Sequence, residues 1–94
     1  MDHLEQKILS IIDEHAEELK EIATKIYYNA ERGFQEYETA KAAAEFLRKY
    51  GMEPREGLAL TGVKANINES EGPSVALIGE LDGIGCPAHP DAVK

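Results

Sequence analysis

Hydrophobic positions in the first third of the chain recur at steps of three and four. Leu4, Ile8, Ile11, Ile12, Leu19, Ile22, Ala23, Ile26 and Tyr27 would form one apolar stripe along a helix from about Asp2 to Ala30. Asp2 is placed to cap its start, and Gly33 to release the chain at its end. A second helix is expected from Glu36 to Tyr50, with Tyr37, Ala40, Ala44 and Leu47 on one face and Gly51 as its terminator. The pattern then changes. Between Leu60 and Asn68, Val63, Ala65 and Ile67 alternate with Lys64, Asn66 and Asn68, which describes a strand buried on one face. Glu69 to Pro73 reads as a turn. Val75, Ala76, Leu77 and Ile78 run without alternation, as in a parallel-type strand covered on both faces. A short strand from Met52 to Glu56, pushed towards a sheet edge by Pro54, precedes these two. The expectation is an α/β fold in which two N-terminal helices pack on a small sheet, with residues 75–78 as its most buried strand.

Candidate chemistry lies just beyond that last apolar run. Glu80, Asp82, Cys86 and His89 fall within ten positions, where open α/β folds place their active sites. Glu80 and Asp82, two apart, would share one side of a continued strand. Such a pair can bind a divalent cation, orient a metal-bound histidine or move protons; equally, Glu80 can cap a helix and Asp82 can shape the turn at Gly83. Cys86 and His89 have a spacing that lets two side chains reach one zinc ion. The plainer alternative is a free cysteine beside a surface histidine. His3 and His15 fall in the charged first helix and are expected to face solvent. No phosphate-cradling Gly-Lys-Ser/Thr loop occurs, and Ser10, Ser70 and Ser74 lie in no Gly-x-Ser-x-Gly elbow.

Composition narrows the classes. The 94 residues make one domain at most, and 43% hydrophobic with 30% charged residues is ordinary for a globular chain. A net charge of −8 speaks against nucleic acid and anionic membranes as partners. One cysteine precludes an internal disulfide, the start lacks a secretory pattern, and no apolar run nears the ~18 residues of a membrane span. A cytoplasmic protein is expected.

The run Glu31-Arg-Gly33-Phe34-Gln-Glu36-Tyr-Glu-Thr39 resembles a signature of the M20 metallopeptidases, in the amidohydrolase branch that includes aminoacylase-like and hippurate-hydrolase-like enzymes. In that family, Pro-Glu-x-Gly-Phe-x-Glu-x-x-Thr precedes a helix ending in Leu-x-x-x-Gly. Ala30 stands in place of the proline, while Glu31, Gly33, Phe34, Glu36, Thr39, Leu47 and Gly51 match. The similarity continues through Thr61, Gly62 and Val63 to Glu80 and Asp82. It implies a metal-dependent hydrolase of N-acyl amino acids or small peptides, using zinc or manganese. Asp82 falls at the position beside the metals, where it would orient a ligand histidine or the metal-bound water. Glu80 falls where other branches carry a ligand histidine.

The family's Cys-Gly-His motif, its general-base glutamate and its remaining histidines have no counterparts here. Residues 1–94 are therefore expected to be the N-terminal part of one truncated catalytic domain, inactive alone and self-associating through residues 60–80 as a homo-oligomer. A stand-alone metal module built on Asp82, Cys86 and His89, and a small α/β dimerisation protein, are the competing readings.

Overall fold

A computed structural model describes residues 2–92. Helix α1 spans His3–Glu14, α2 spans Ala16–Tyr28 and α3 spans Tyr37–Lys49. Strands β1, Arg55–Leu58, and β2, Gly62–Lys64, follow as an antiparallel hairpin. The fold is mixed α and β, with α3 lying against both strands.

The start of α1 is a capping box. Asp2 Oδ1 accepts from Glu5 N–H at 2.8 Å, and Glu5 Oε2 accepts from Asp2 N–H at 3.3 Å. Two of the donors that every helix N-terminus leaves unpaired are thereby satisfied. The single helix expected over 2–30 is interrupted at His15, which leaves helical geometry at φ −102 and ψ 6. The hydrogen-bond ladder nearly bridges the break, because His15 N–H donates to Ile11 O and Leu19 N–H donates to His15 O. The break coincides with a tie to α3: His15 Nδ1 lies 3.1 Å from the Tyr50 hydroxyl and 3.6 Å from Glu18. Glu18 also accepts from Lys49 Nζ and from the Tyr50 hydroxyl. Those two donors hold the Glu18 carboxyl below its ordinary range, and the same contacts raise both Lys49 and Tyr50. Helix α2 ends before Gly33. Asn29 Nδ2 donates to Lys25 O at 2.7 Å, so an asparagine side chain satisfies an end carbonyl.

Helix α3 ends as its glycine predicts. Gly51 has φ +82, Gly51 N–H donates to Arg48 O and Met52 N–H donates to Leu47 O. This is the double closure in which a left-handed glycine releases the chain. The face of α3 turned inward carries Thr39, Ala40, Ala42 and Ala44, with Ala44 wholly buried.

The sheet departs from expectation. The first strand lies at 55–58 rather than 52–56 and the second is confined to 62–64; the two pair antiparallel. Residues 73–86 carry no regular secondary structure, and Val75, Leu77 and Ile78 are at least nine-tenths exposed. An apolar run becomes a buried strand only where a neighbour supplies ladder partners and a covering layer, and among the described residues nothing does so for 75–78. The expected packing of both helices on the sheet is likewise replaced by packing of α3, while α1 and α2 bury no residue fully.

The consequence is an open molecule. Its accessible surface is 8215 Å², against about 5,400 Å² for a folded monomer of this mass. Its radius of gyration is 15.8 Å, where a compact domain of this length has about 12 Å.

The hairpin gives a direct test. A Cβ at Gly62 would fall 2.6 Å from the Leu58 carbonyl oxygen across the loop, so backbone must move. Gly62→Ala is expected to destabilise the chain by roughly 1–3 kcal/mol, read as a lower urea midpoint with β1 and β2 amides exchanging faster than those of α1.

Candidate functional site

The segment from Glu31 to Thr39 builds the frame on which Asp82 is held. Helix α3 has no cap from its own preceding residue, Glu36. Instead the Glu31 carboxylate reaches across the intervening turn. Its Oε2 accepts from Glu38 N–H at 3.1 Å, and its Oε1 accepts from Thr39 N–H at 2.6 Å and from the Thr39 hydroxyl at 2.7 Å. A carboxylate at a helix N-terminus satisfies orphan donors and meets the positive end of the helix dipole. The Thr39 hydroxyl first, and then the Thr39 amide, hold the Glu31 carboxyl below its ordinary value of 4.5. The turn between them places Phe34 at φ +61 with its ring largely exposed.

Glu36 is buried and accepts from the hydroxyl of buried Thr61 at 3.3 Å. That bond ties the start of α3 to the β1–β2 loop. The backbone of Glu31 makes the other tie: Gly83 N–H donates to Glu31 O at 2.6 Å. Gly83 sits against Ala30, where an added Cβ would come within 2.9 Å of the Ala30 Cβ. The residue before this anchor is Asp82, whose side chain is exposed, as is that of Glu80. Farther along, the Tyr27 hydroxyl donates to Asp91 O, so residues 83–91 are laid back along the end of α2.

The four expected site residues are thus distributed. Asp82 is fixed by its neighbour's bond to Glu31, and Glu80 precedes it in the irregular segment. Cys86 and His89 occupy a turn of their own, closed by His89 N–H donating to Cys86 O at 3.0 Å. His89 Nδ1 accepts from Asp91 N–H at 3.1 Å, which leaves Nε2 as its available ligand atom. Cys86 is a free, exposed thiol. Among the described residues no three or more His, Cys, Asp or Glu side chains gather where they could hold one metal ion. No described helix is long and apolar enough to cross a membrane. His3 is exposed, and His15 is half-buried in its contact with Tyr50 and Glu18 instead of facing solvent.

The structural roles of Glu31, Glu36, Thr39 and Thr61 were not evident from spacing. The family resemblance singled these residues out, but it did not indicate that Glu31 caps α3 through Thr39 or that Glu36 pairs with Thr61.

The chain is 36% identical over 83 residues to thermostable carboxypeptidase 2 of Saccharolobus solfataricus, covering 86% of this chain and 21% of that protein. It is 38% identical over 63 residues to IAA-amino acid hydrolase ILR1-like 2 of Arabidopsis thaliana, covering 67% and 14%. It is 35% identical over 82 residues to YhaA of Bacillus subtilis, designated an amidohydrolase, covering 86% and 21%. The chain therefore spans about a fifth or less of the length of these hydrolases. No family model and no solved structure matches it.

The Glu31 cap predicts an acid response of known sign. Folding lowers its carboxyl, so its stabilisation is complete above the unfolded value and is lost as pH falls through the lower, folded one. Glu31→Gln is expected to lower the thermal midpoint at pH 7 and to flatten its decline between pH 5 and 3. A residual slope from Glu18, shifted in the same direction, remains. An unchanged midpoint and slope would contradict the capping role.

Proposed function

We propose that the chain forms the N-terminal part of the catalytic domain of an M20-type, metal-dependent amidohydrolase. The substrate class is an N-acyl amino acid or small peptide, cleaved at its amide bond. The observation that carries this reading is the anchoring of Gly83, next to Asp82, on the backbone of Glu31, whose carboxylate caps α3 through Thr39. The residues resembling the family signature are thereby the ones that position the residue assigned to the metal centre. Relatives named for carboxypeptidase, amino-acid-conjugate hydrolase and amidohydrolase activities support it.

The donors present suit a supporting share of a metal site. Asp82 and Glu80 offer exposed carboxylate oxygens, which zinc and manganese accept, but they do not amount to a full set of ligands. Zinc or manganese, when bound, would supply polarisation of the amide carbonyl and a more acidic water. Asp82, held by the Gly83 anchor, would orient a ligand histidine or the metal-bound water through its carboxylate. Glu80 provides a second carboxylate on the same approach. Cys86 and His89, in their separate turn, are secondary candidates as ligands.

The remaining ligands, on this reading, come from further sequence of a longer polypeptide. The exposed Val75, Leu77 and Ile78 suit such a partner surface and, in its absence, self-association of the 94 residues into a homo-oligomer.

Hydrolysis of N-acyl amino acids with added zinc or manganese is the test, run on the 94-residue chain and on the product of the complete reading frame. The short chain is expected to show no turnover. The full product is expected to be active, and to lose about 10–100-fold on Asp82→Asn. Full activity in that variant, metal-dependent turnover by the short chain, or a stop codon directly after Lys94 would overturn the proposal.

A further inference from the structure

A second candidate site, which Asp82 does not line, lies at the open end of the hairpin. Arg55 of β1 and Lys64 of β2 are direct partners in the antiparallel register. Partners in a ladder project to the same face, and like charges placed opposite each other destabilise a strand pair. Three other cations of the chain are ion-paired: Arg48 with Glu56, Lys49 with Glu18 and Lys20 with Glu17. Among the described residues neither Arg55 nor Lys64 has a carboxylate within ion-pair distance. Both line one cleft of about 590 Å³, together with Asn66, Asn68, Glu53 and Glu69.

We infer that this cleft binds a compact oxyanion, a carboxylate or a phosphate group, between the Arg55 guanidinium and the Lys64 ammonium. An oxyanion seated there converts a repulsive cross-strand pair into two charge-assisted hydrogen bonds. The planar fork of Arg55 matches two oxygens at once, and Lys64 contributes a point charge on the other side. Asn66 and Asn68, after β2, also line the cleft. Of the two acidic groups, Glu69 is turned to the Asn66 amide, whose Nδ2 donates to its Oε1 at 2.8 Å. Glu53 also lines the cleft, and its charge opposes that of a bound anion. This inference does not depend on the proposed hydrolase activity.

The experiment is a titration of the isotope-labelled chain with inorganic phosphate, and separately with acetate, each against chloride at matched ionic strength. Saturable shifts at the amides of residues 55, 64, 66 and 68 are expected with an oxyanion and not with chloride. The phosphate and acetate arms show which oxyanion the cleft prefers. Lys64→Gln and Arg55→Gln are each expected to weaken binding about tenfold, and Glu53→Gln to tighten it. Because Lys64→Gln also relieves the cross-strand repulsion, it should raise the thermal midpoint in chloride and lower it in saturating phosphate. Absence of saturable binding, or binding that Lys64→Gln leaves unchanged, overturns the inference.

Discussion

The contact on which the structure most depends is the cap that Glu31 places on α3. One carboxylate takes two backbone amides and a hydroxyl at the start of that helix, while the carbonyl of the same residue takes the amide of Gly83. Helix α3 in turn supplies most of the buried side chains and lies against both strands. Without the cap, the first turn of α3 would carry unpaired donors, and the loop bearing Asp82 would lose its reference point. A single acidic side chain therefore links helix, hairpin and candidate site.

Strain in the backbone is gathered beside these polar ties. Phe34, Ala59 and Leu60 all have positive φ, a conformation that costs a non-glycine residue on the order of 1 kcal/mol. Phe34 is enclosed between Glu31, bonded to Thr39, and Glu36, bonded to Thr61. Ala59 and Leu60 directly precede Thr61 in the hairpin loop. Two glutamate–threonine bonds thus hold both turns in shapes that their own residues disfavour. This explains why Glu36 and Thr61, polar groups, are buried while Leu60, at the loop tip, is 72% exposed.

Features governed by local rules were legible in the sequence. Asp2 caps α1 and Gly51 closes α3, because each depends on residues within a turn or two; of the expected face of α3, Ala40 and Ala44 are buried, whereas Tyr37 is exposed. The parts that were not legible rest on distant partners. The break at His15 goes with side chains of α3, thirty-five positions away. Val75 to Ile78 has the composition of a buried strand, but composition cannot supply the neighbouring strand and covering layer that burial requires. At the candidate site, Asp82 was identified by its type and position, whereas its anchor is a backbone bond to Glu31 that no side-chain pattern encodes. Cys86 and His89 had ligand spacing, and the turn between them shows how the same spacing serves a simple backbone hydrogen bond.

The alanine face of α3 bears on how the chain responds to heat. Its fully buried apolar groups are the methyls of Ala40, Ala42 and Ala44, while larger side chains such as Ile22, Ile26, Phe46, Leu47, Leu58 and Val63 are only partly buried. Unfolding then newly hydrates less hydrocarbon than it would in a compact domain of this length. The heat-capacity increment, which scales with that newly wetted area, is correspondingly small, and the stability curve is shallow. Such a chain melts over a broad interval instead of at a sharp temperature and is little weakened by cold.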